Sequence, residues 1–152
     1  MLKTKISMLM LAGAAALGSS VAFAGDRGTA EDATALLDKA AAHYNSVGRD
    51  QALKDFSTPG GSWQNGDLYV FCNDYDANVV AHGVNAKLIG KNLAKVKDAD
   101  GKLFVVELID TGKSGGGWVD YRWPNPVSKK IEQKSSIVKD FGGDVCGVGI
   151  YK

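Results

Sequence analysis

Residues 118–151, WVDYRWPNPVSKKIEQKSSIVKDFGGDVCGVGIY, decide how this chain folds. Trp118 to Trp123 alternates aromatic or apolar with charged residues, as a strand does, and Pro124 and Pro126 close it. Ile131 to Lys139 and Asp144 to Tyr151 read as two more strands, with Phe141-Gly142-Gly143-Asp144 as the turn between them. Strands separated by so few residues pair antiparallel, because a parallel crossover needs a dozen residues or more.

Moving toward the N-terminus, Asp67 to Asn73 (DLYVFCN) is aromatic and β-branched and reads as a strand. Asp74 to Asn78 is turn-like, and Val79-Val80-Ala81-His82 returns as a second strand. Before them, Thr29 followed by Asp32 resembles a capping box with Asp in place of Glu. Ala33, Leu36, Leu37, Ala40, Ala41, Tyr44 and Val47 then follow in steps of three and four, one face of a helix. Gly48 breaks it, Asp50 to Phe56 continues as a second helical stretch, and Thr58-Pro59-Gly60-Gly61-Ser62 stops helix formation. In the middle, Leu88 to Leu93 is short and mixed, Asp98-Ala99-Asp100-Gly101 is a turn, and Thr111 to Gly117 is a Gly-rich loop. Leu103 to Ile109 stays open: Leu103, Val106 and Glu107 fit helix spacing, while Phe104-Val105-Val106 suits a strand. Helices over 29–57 followed by a five-stranded antiparallel sheet over 66–152 make an α+β domain.

The first residues set the compartment. Lys3 and Lys5 precede an uncharged apolar run, Ile6 to Val21, which ends in Ala22-Phe23-Ala24. A charged start, an apolar middle and a small-x-small end are the parts of a secretory signal, so residues 1–24 are expected to be removed near Ala24. The alternative, an uncleaved membrane anchor, has only a short Ala- and Gly-rich run to work with. No Cys stands at the cleavage point, which argues against a lipoprotein. Residues 25–152 are then one periplasmic or secreted domain, with no later segment apolar for long enough to cross a bilayer.

The leader carries two of the 18 basic residues against 17 acidic ones, which leaves the mature chain near −1. That balance offers no electrostatic footprint for nucleic acid. Lys129, Lys130 and Lys134 are close together, but Glu132 interrupts them. The two cysteines, Cys72 and Cys146, form no C-x-x-C, haem or zinc spacing. In an oxidising compartment an even count points to a disulfide, with free buried thiols as the alternative.

Other motifs fail on their own chemistry. Gly112-Lys113-Ser114 imitates the end of a phosphate-binding loop, but Glu107 stands where its first glycine belongs. Asp74, Asp76 and Asn78 have calcium-loop spacing, but Val79 replaces the required glycine and the closing Glu is missing, so a polar turn explains them. Of the two histidines, His43 falls beside a helical stripe, and neither G-x-S-x-G nor H-E-x-x-H occurs. No catalytic residue, metal or cofactor is expected.

From Gly48 onward the chain resembles a type-2 single-Cache sensor domain. The likeness runs in order through Ala52-Leu53, Gly66-Asp67-Leu68-Tyr69-Val70-Phe71, Ala81-His82, Leu88-Ile89-Gly90-Lys91-Asn92 and Asp98-x-x-Gly101-Lys102. It continues through Gly115-Gly116-Gly117-Trp118-Val119, Tyr121-x-Trp123-Pro124-Asn125-Pro126, Lys134 and Val148-Gly149-Ile150-Tyr151. The resemblance implies an extracytoplasmic PAS-like fold, with a long N-terminal helix packed on a five-stranded antiparallel sheet and a pocket on the sheet's other side. It implies a small organic ligand, often a short carboxylate. It also makes the first and last strands neighbours, which renders Cys72–Cys146 a plausible disulfide, since such a bond needs Cα atoms within about 7 Å.

The sequence departs from the family pattern at three places. His82 is followed by Gly83 rather than Pro. Ile137 stands three positions after the lysine, where an aromatic residue is common, and the change is expected to remove a polar aromatic contact. Family members are usually outer parts of receptors, whereas this chain stops at Lys152, directly after the last strand, and is expected to act through a separate membrane partner.

A pocket for a small acid needs a cation, hydrogen-bond donors and an apolar wall. The resemblance points to Lys134 as the cation, Tyr121 and His82 as donors, and Trp123 as the wall. Alternation puts Val119, Tyr121 and Trp123 on one strand face and turns Arg122 to the other, which ranks that arginine lower as a carboxylate partner. The expected function is a small-molecule sensor module in signal transduction or chemotaxis, with a receptor or kinase as partner. A solute-capture protein, an enzyme with an unrecognised site, and an interaction domain without ligand are the alternatives.

Overall fold

The computed structural model describes residues 27–152, so the signal expected at 1–24 lies outside the described residues. Helix α1, Ala30–Val47, starts on the capping box: the Thr29 side chain accepts from the Asp32 backbone N–H, and the Asp32 carboxylate accepts from the Thr29 N–H at 3.1 Å. Ala33, Leu37, Ala40 and Tyr44 form its buried stripe. Gly48 breaks the helix at φ 88, a conformation that costs glycine little, and α2, Arg49–Phe56, begins at the next residue in a new direction. No helix of the described residues is long and apolar enough to cross a membrane.

The sheet has six strands: β1 Gln64–Asn65, β2 Leu68–Asp74, β3 Val79–His82, β4 Gly117–Pro124, β5 Ile131–Asp140 and β6 Asp144–Tyr151. Its order is β1-β2-β6-β5-β4, with β3 also on β2, and every pairing is antiparallel. The strand beyond the expected five is β1, two residues folded back on Leu68 and Tyr69 by a turn at Gly66. Two residues carry no periodicity, so the sequence gives no sign of it. The first long strand and the last are neighbours, with Cys72 opposite Cys146 in the register. The two form a disulfide, and their Cα atoms are 4.1 Å apart.

Leu103 to Ile109 resolves as helix. In α3, Phe104–Lys113, the residues Phe104, Val105, Leu108, Ile109 and Gly112 are buried, a helical stripe with no strand alternation. The helix extends three residues into the stretch expected as loop, because Gly112 lies against β6, where an added Cβ would overlap Val145. The mixed segment after β3 makes one 3-10 turn, Ala86–Leu88, held by the Asn85 side chain accepting from the Lys87 N–H. Asp74 accepts from the N–H groups of Asp76 and Asn78, which makes the calcium-like spacing a hairpin turn.

Two apolar layers result. On one face of the sheet, Leu37, Tyr44, Phe56 and Trp63 pack on Val70, Cys146 and Val148. On the other, Phe104, Val105 and Leu108 of α3, with Leu88 and Leu93, cover Tyr69, Phe71, Val119, Tyr121 and Val138. The second layer holds a cavity.

Candidate ligand cavity

Four strands build the base of this cavity. β2 contributes Tyr69 and Phe71, β3 contributes His82, β4 contributes Tyr121 and Trp123, and β5 contributes Lys134; α3 and the segment around Leu88 and Leu93 close it. The enclosed volume is about 20 Å³, room for a single water. His82 and Trp123 also border an outer groove of about 270 Å³, lined by Asn85, Asn125 and Lys129 among others. All four residues singled out in the sequence, His82, Tyr121, Trp123 and Lys134, therefore meet at one cavity.

Lys134 is the unusual member. A lysine on a strand is ordinarily solvated, yet this one is 1% exposed. Its Nζ donates to the Tyr69 hydroxyl at 2.8 Å and lies 4.1 Å from the Tyr69 ring centre and 5.0 Å from that of Tyr151. None of the ion pairs among the described residues includes it. Burial without a paired carboxylate pulls its pKa from 10.5 down to about 7, against a weaker upward pull from Asp67. Asp67 is itself buried: one oxygen accepts from the Gly28 N–H at 2.8 Å, and the other has no partner among the described residues.

The hydroxyls beyond Lys134 form a directed chain. The Tyr151 hydroxyl can only donate to the Pro124 carbonyl, at 2.7 Å. Its oxygen is then free to accept from Tyr69, 3.3 Å away, while Tyr69 accepts from Lys134. Burial raises the pKa values of Tyr69, Tyr121 and Tyr151, so all three stay protonated.

His82 is neutral and its tautomer follows from its neighbours. Nδ1 accepts from the backbone N–H of Asn85 at 3.0 Å, which assigns the proton to Nε2 and leaves that nitrogen a donor. Burial first, then the nearby Lys134 charge, push its pKa down to about 3. The Tyr121 hydroxyl lies 2.9 Å from Ser136 Oγ, and its ring stacks on Phe104 at 4.8 Å. Trp123 leans on the same Phe104, with centroids 5.1 Å apart.

One expectation needs correcting, and one departure from the family pattern has a local consequence. Ile137 is an odd number of positions from Lys134, so it faces the helix layer and packs there, and its identity removes no contact from the cavity. Gly83 in place of Pro adds a bond, because its N–H donates to the Val70 carbonyl at 3.0 Å. Arg122 points off the cavity, as alternation implies, and its backbone N–H is held by Asp98 at 2.9 Å.

Sequence reasoning missed Tyr69, Tyr151 and Phe104. Tyr69 and Tyr151 were readable as strand residues, but which face they take depends on the β2–β6 register, and that is a long-range pairing. Phe104 was hidden by the helix-or-strand ambiguity of its segment.

A family model described as single Cache domain 2 matches residues 49–151. The chain is 38% identical over 87 residues to the sensor histidine kinase MctS of Rhizobium johnstonii, covering 56% of this chain and 19% of that protein. It is 31% identical over 88 residues to the methyl-accepting chemotaxis protein McpP of Pseudomonas putida, covering 56% of this chain and 16% of the other. It thus spans less than a fifth of either relative's length. Among solved structures, it is 31% identical to a periplasmic sensor domain of a chemotaxis protein, with TM-score 0.62 over 80% of this chain and 88% of the other. A Cache chemosensory domain, solved to explain carboxylic acid recognition, gives the same identity and TM-score over 80% and 86%. A methyl-accepting chemotaxis protein from Vibrio parahaemolyticus shares the fold at TM-score 0.71 and 21% identity, over 80% of this chain and 86% of that one. With the family's model matched over well over half its length, from α2 through the last strand, this chain belongs to the single Cache domain 2 family.

Proposed function

We propose that this domain is a periplasmic binding module for a short carboxylate, which reports its occupancy to a membrane-bound receptor or kinase. One observation carries the reading: a buried lysine, without a carboxylate partner among the described residues, faces a cavity that also holds the neutral His82 donor and the Tyr121 hydroxyl. A carboxylate offers two oxygens that only accept, and this donor set fits them. Trp123 and Phe104 supply the apolar wall, and a short acid would enter only as these side chains give way, since the volume present holds a single water. Recognition of a carboxylic acid by a Cache chemosensory domain of the same fold supports the ligand class. Kinase and chemoreceptor relatives support the kind of partner.

Isothermal titration of the folded protein with acetate, propionate and their amides tests this. The acids should bind and the amides, which lack the charge, should not. The near-filled cavity favours one other reading, an interaction domain that has closed over its pocket. Absence of binding to every short acid would support that reading.

A further inference from the structure

We propose that the cavity takes up one proton together with its anionic ligand, so that acid and proton bind as a pair. The inference rests on the binding reading above and adds its regulation by pH. Its ground is geometric. The Lys134 amine is buried, and its hydrogen bond goes to a neutral phenol. Aromatic faces surround it, and these favour a cation far less than an anion at contact distance does.

The β1–β2 turn brings Asp67, which is engaged by Gly28 and is the one charge acting to hold the proton. β2 and β6 bring the protonated Tyr69 and Tyr151, β4 brings the protonated Tyr121, and β3 brings the neutral His82. On α3, Glu107 and Asp110 lie on the exposed side. On β5 itself, the oxygens of Glu132 are taken by Asn125, Ser128 and Arg27. Among the described residues no anion stands in the cavity for the ammonium, so a bound carboxylate would supply the missing charge.

Around neutral pH the empty site is divided between amine and ammonium, since burial holds Lys134 at about 7. The hydroxyl chain accepts either form, because one N–H to Tyr69 is all it needs. A carboxylate binds the ammonium form only. Above neutrality, each binding event must therefore carry in a proton.

The test is titration calorimetry of the full chain with acetate and propionate, from about pH 6 to 9, in buffers of differing ionisation enthalpy. Affinity should be level near pH 6 and fall roughly tenfold per pH unit above about 7.5, with nearly one proton taken up per ligand there. Lys134→Gln should bind weakly and without pH dependence. Binding that stays level to pH 9 without proton uptake would overturn the coupling and leave the binding reading intact. A folded protein that binds no short acid at any pH would overturn both. An NMR titration of 13C-lysine-labelled, ligand-free protein reads Lys134 directly. A midpoint near that of the surface lysines would overturn the proposal whatever the binding data show.

Discussion

Gly149 on β6 makes the space that the Lys134 side chain occupies: a Cβ added at Gly149 would overlap Lys134 Cε and Ser136 Oγ. Two positions away, Gly147 does the same for Phe71, whose Cζ would lie 2.6 Å from an added Cβ. The base of the cavity therefore depends on two strand positions without side chains, a recognised use of glycine within a strand.

Gly149→Ala should displace the lysine before it disturbs the sheet. The expected stability loss is about 1–3 kcal/mol, the usual cost of overpacking. Carboxylate affinity should fall by tenfold or more, because the ammonium moves out of the cavity it shares with the His82 and Tyr121 donors. Gly147→Ala should cost comparable stability and less affinity, since it meets Phe71 first. Chemical denaturation and calorimetry on both variants check this. Equal affinity losses at the two positions would mean that Gly149 has no special relation to the lysine.

The limits of sequence legibility can be seen at these same residues. The helix start at Thr29, the break at Gly48 and the last three strands were readable, because capping boxes, glycine breaks and tight turns are local. His82, Tyr121, Trp123 and Lys134 were found through the order of family motifs, and the cavity unites them. Burial of Lys134 was not readable: it depends on α3 covering β5, and α3 was the segment whose periodicity was ambiguous. Val145-Cys146-Gly147-Val148-Gly149 alternates visibly, but only the β5–β6 register shows which side chains the glycines admit.

At the junction of α1 and α2, Arg49 donates to both oxygens of Asp144, at 2.7 and 2.9 Å, and the Tyr44 hydroxyl donates to one of them at 2.7 Å. Asp144 is fully buried at the start of β6 while Arg49 is half-exposed, so the network ties the break at Gly48 to the sheet. Arg49→Met leaves a buried carboxylate with one phenol as partner. A loss of about 2–4 kcal/mol is expected, toward the lower part of the range for a broken buried pair because solvent reaches the arginine. Asp144→Asn should cost less than the arginine change, because the neutral amide needs no counter-charge. Urea denaturation of the single and double variants gives the coupling, and additive losses would refute the network.

The disulfide fastens β2 to β6, the two strands that carry Tyr69 and Tyr151. Its half-cystines are 74 positions apart, and closing a loop of that length is worth about 4 kcal/mol on the chain-entropy model. Replacing both cysteines by alanine should lower stability by about 2–4 kcal/mol. Carboxylate affinity in the folded fraction should change little, because both side chains face the helix layer. Intact mass after alkylation should show two free thiols only once the protein is reduced. Unfolding midpoints that coincide with and without reductant would sink the stability claim.

The ligand-free protein should become more stable as pH rises from about 7.5 to 9.5. In the folded state burial holds Lys134 at about 7, while an unfolded lysine titrates near 10.5. Below the folded value both states carry the proton, and the full penalty of a buried ammonium is present. Between the two values the unfolded chain binds more protons than the folded one, so unfolding free energy rises with pH. The whole rise is about 5 kcal/mol and would be complete only near pH 10.5. The useful window closes earlier, because the buried tyrosines have raised pKa values and their contribution is lost as unfolded tyrosines ionise near 10. Lys134→Met should remove the upward slope and be more stable than the parent near pH 7, since it fills the same space without a charge. Unfolding free energies at half-unit pH intervals decide the matter. If the parent and Lys134→Met run parallel from pH 7.5 to 9.5, the buried lysine is not the group that titrates.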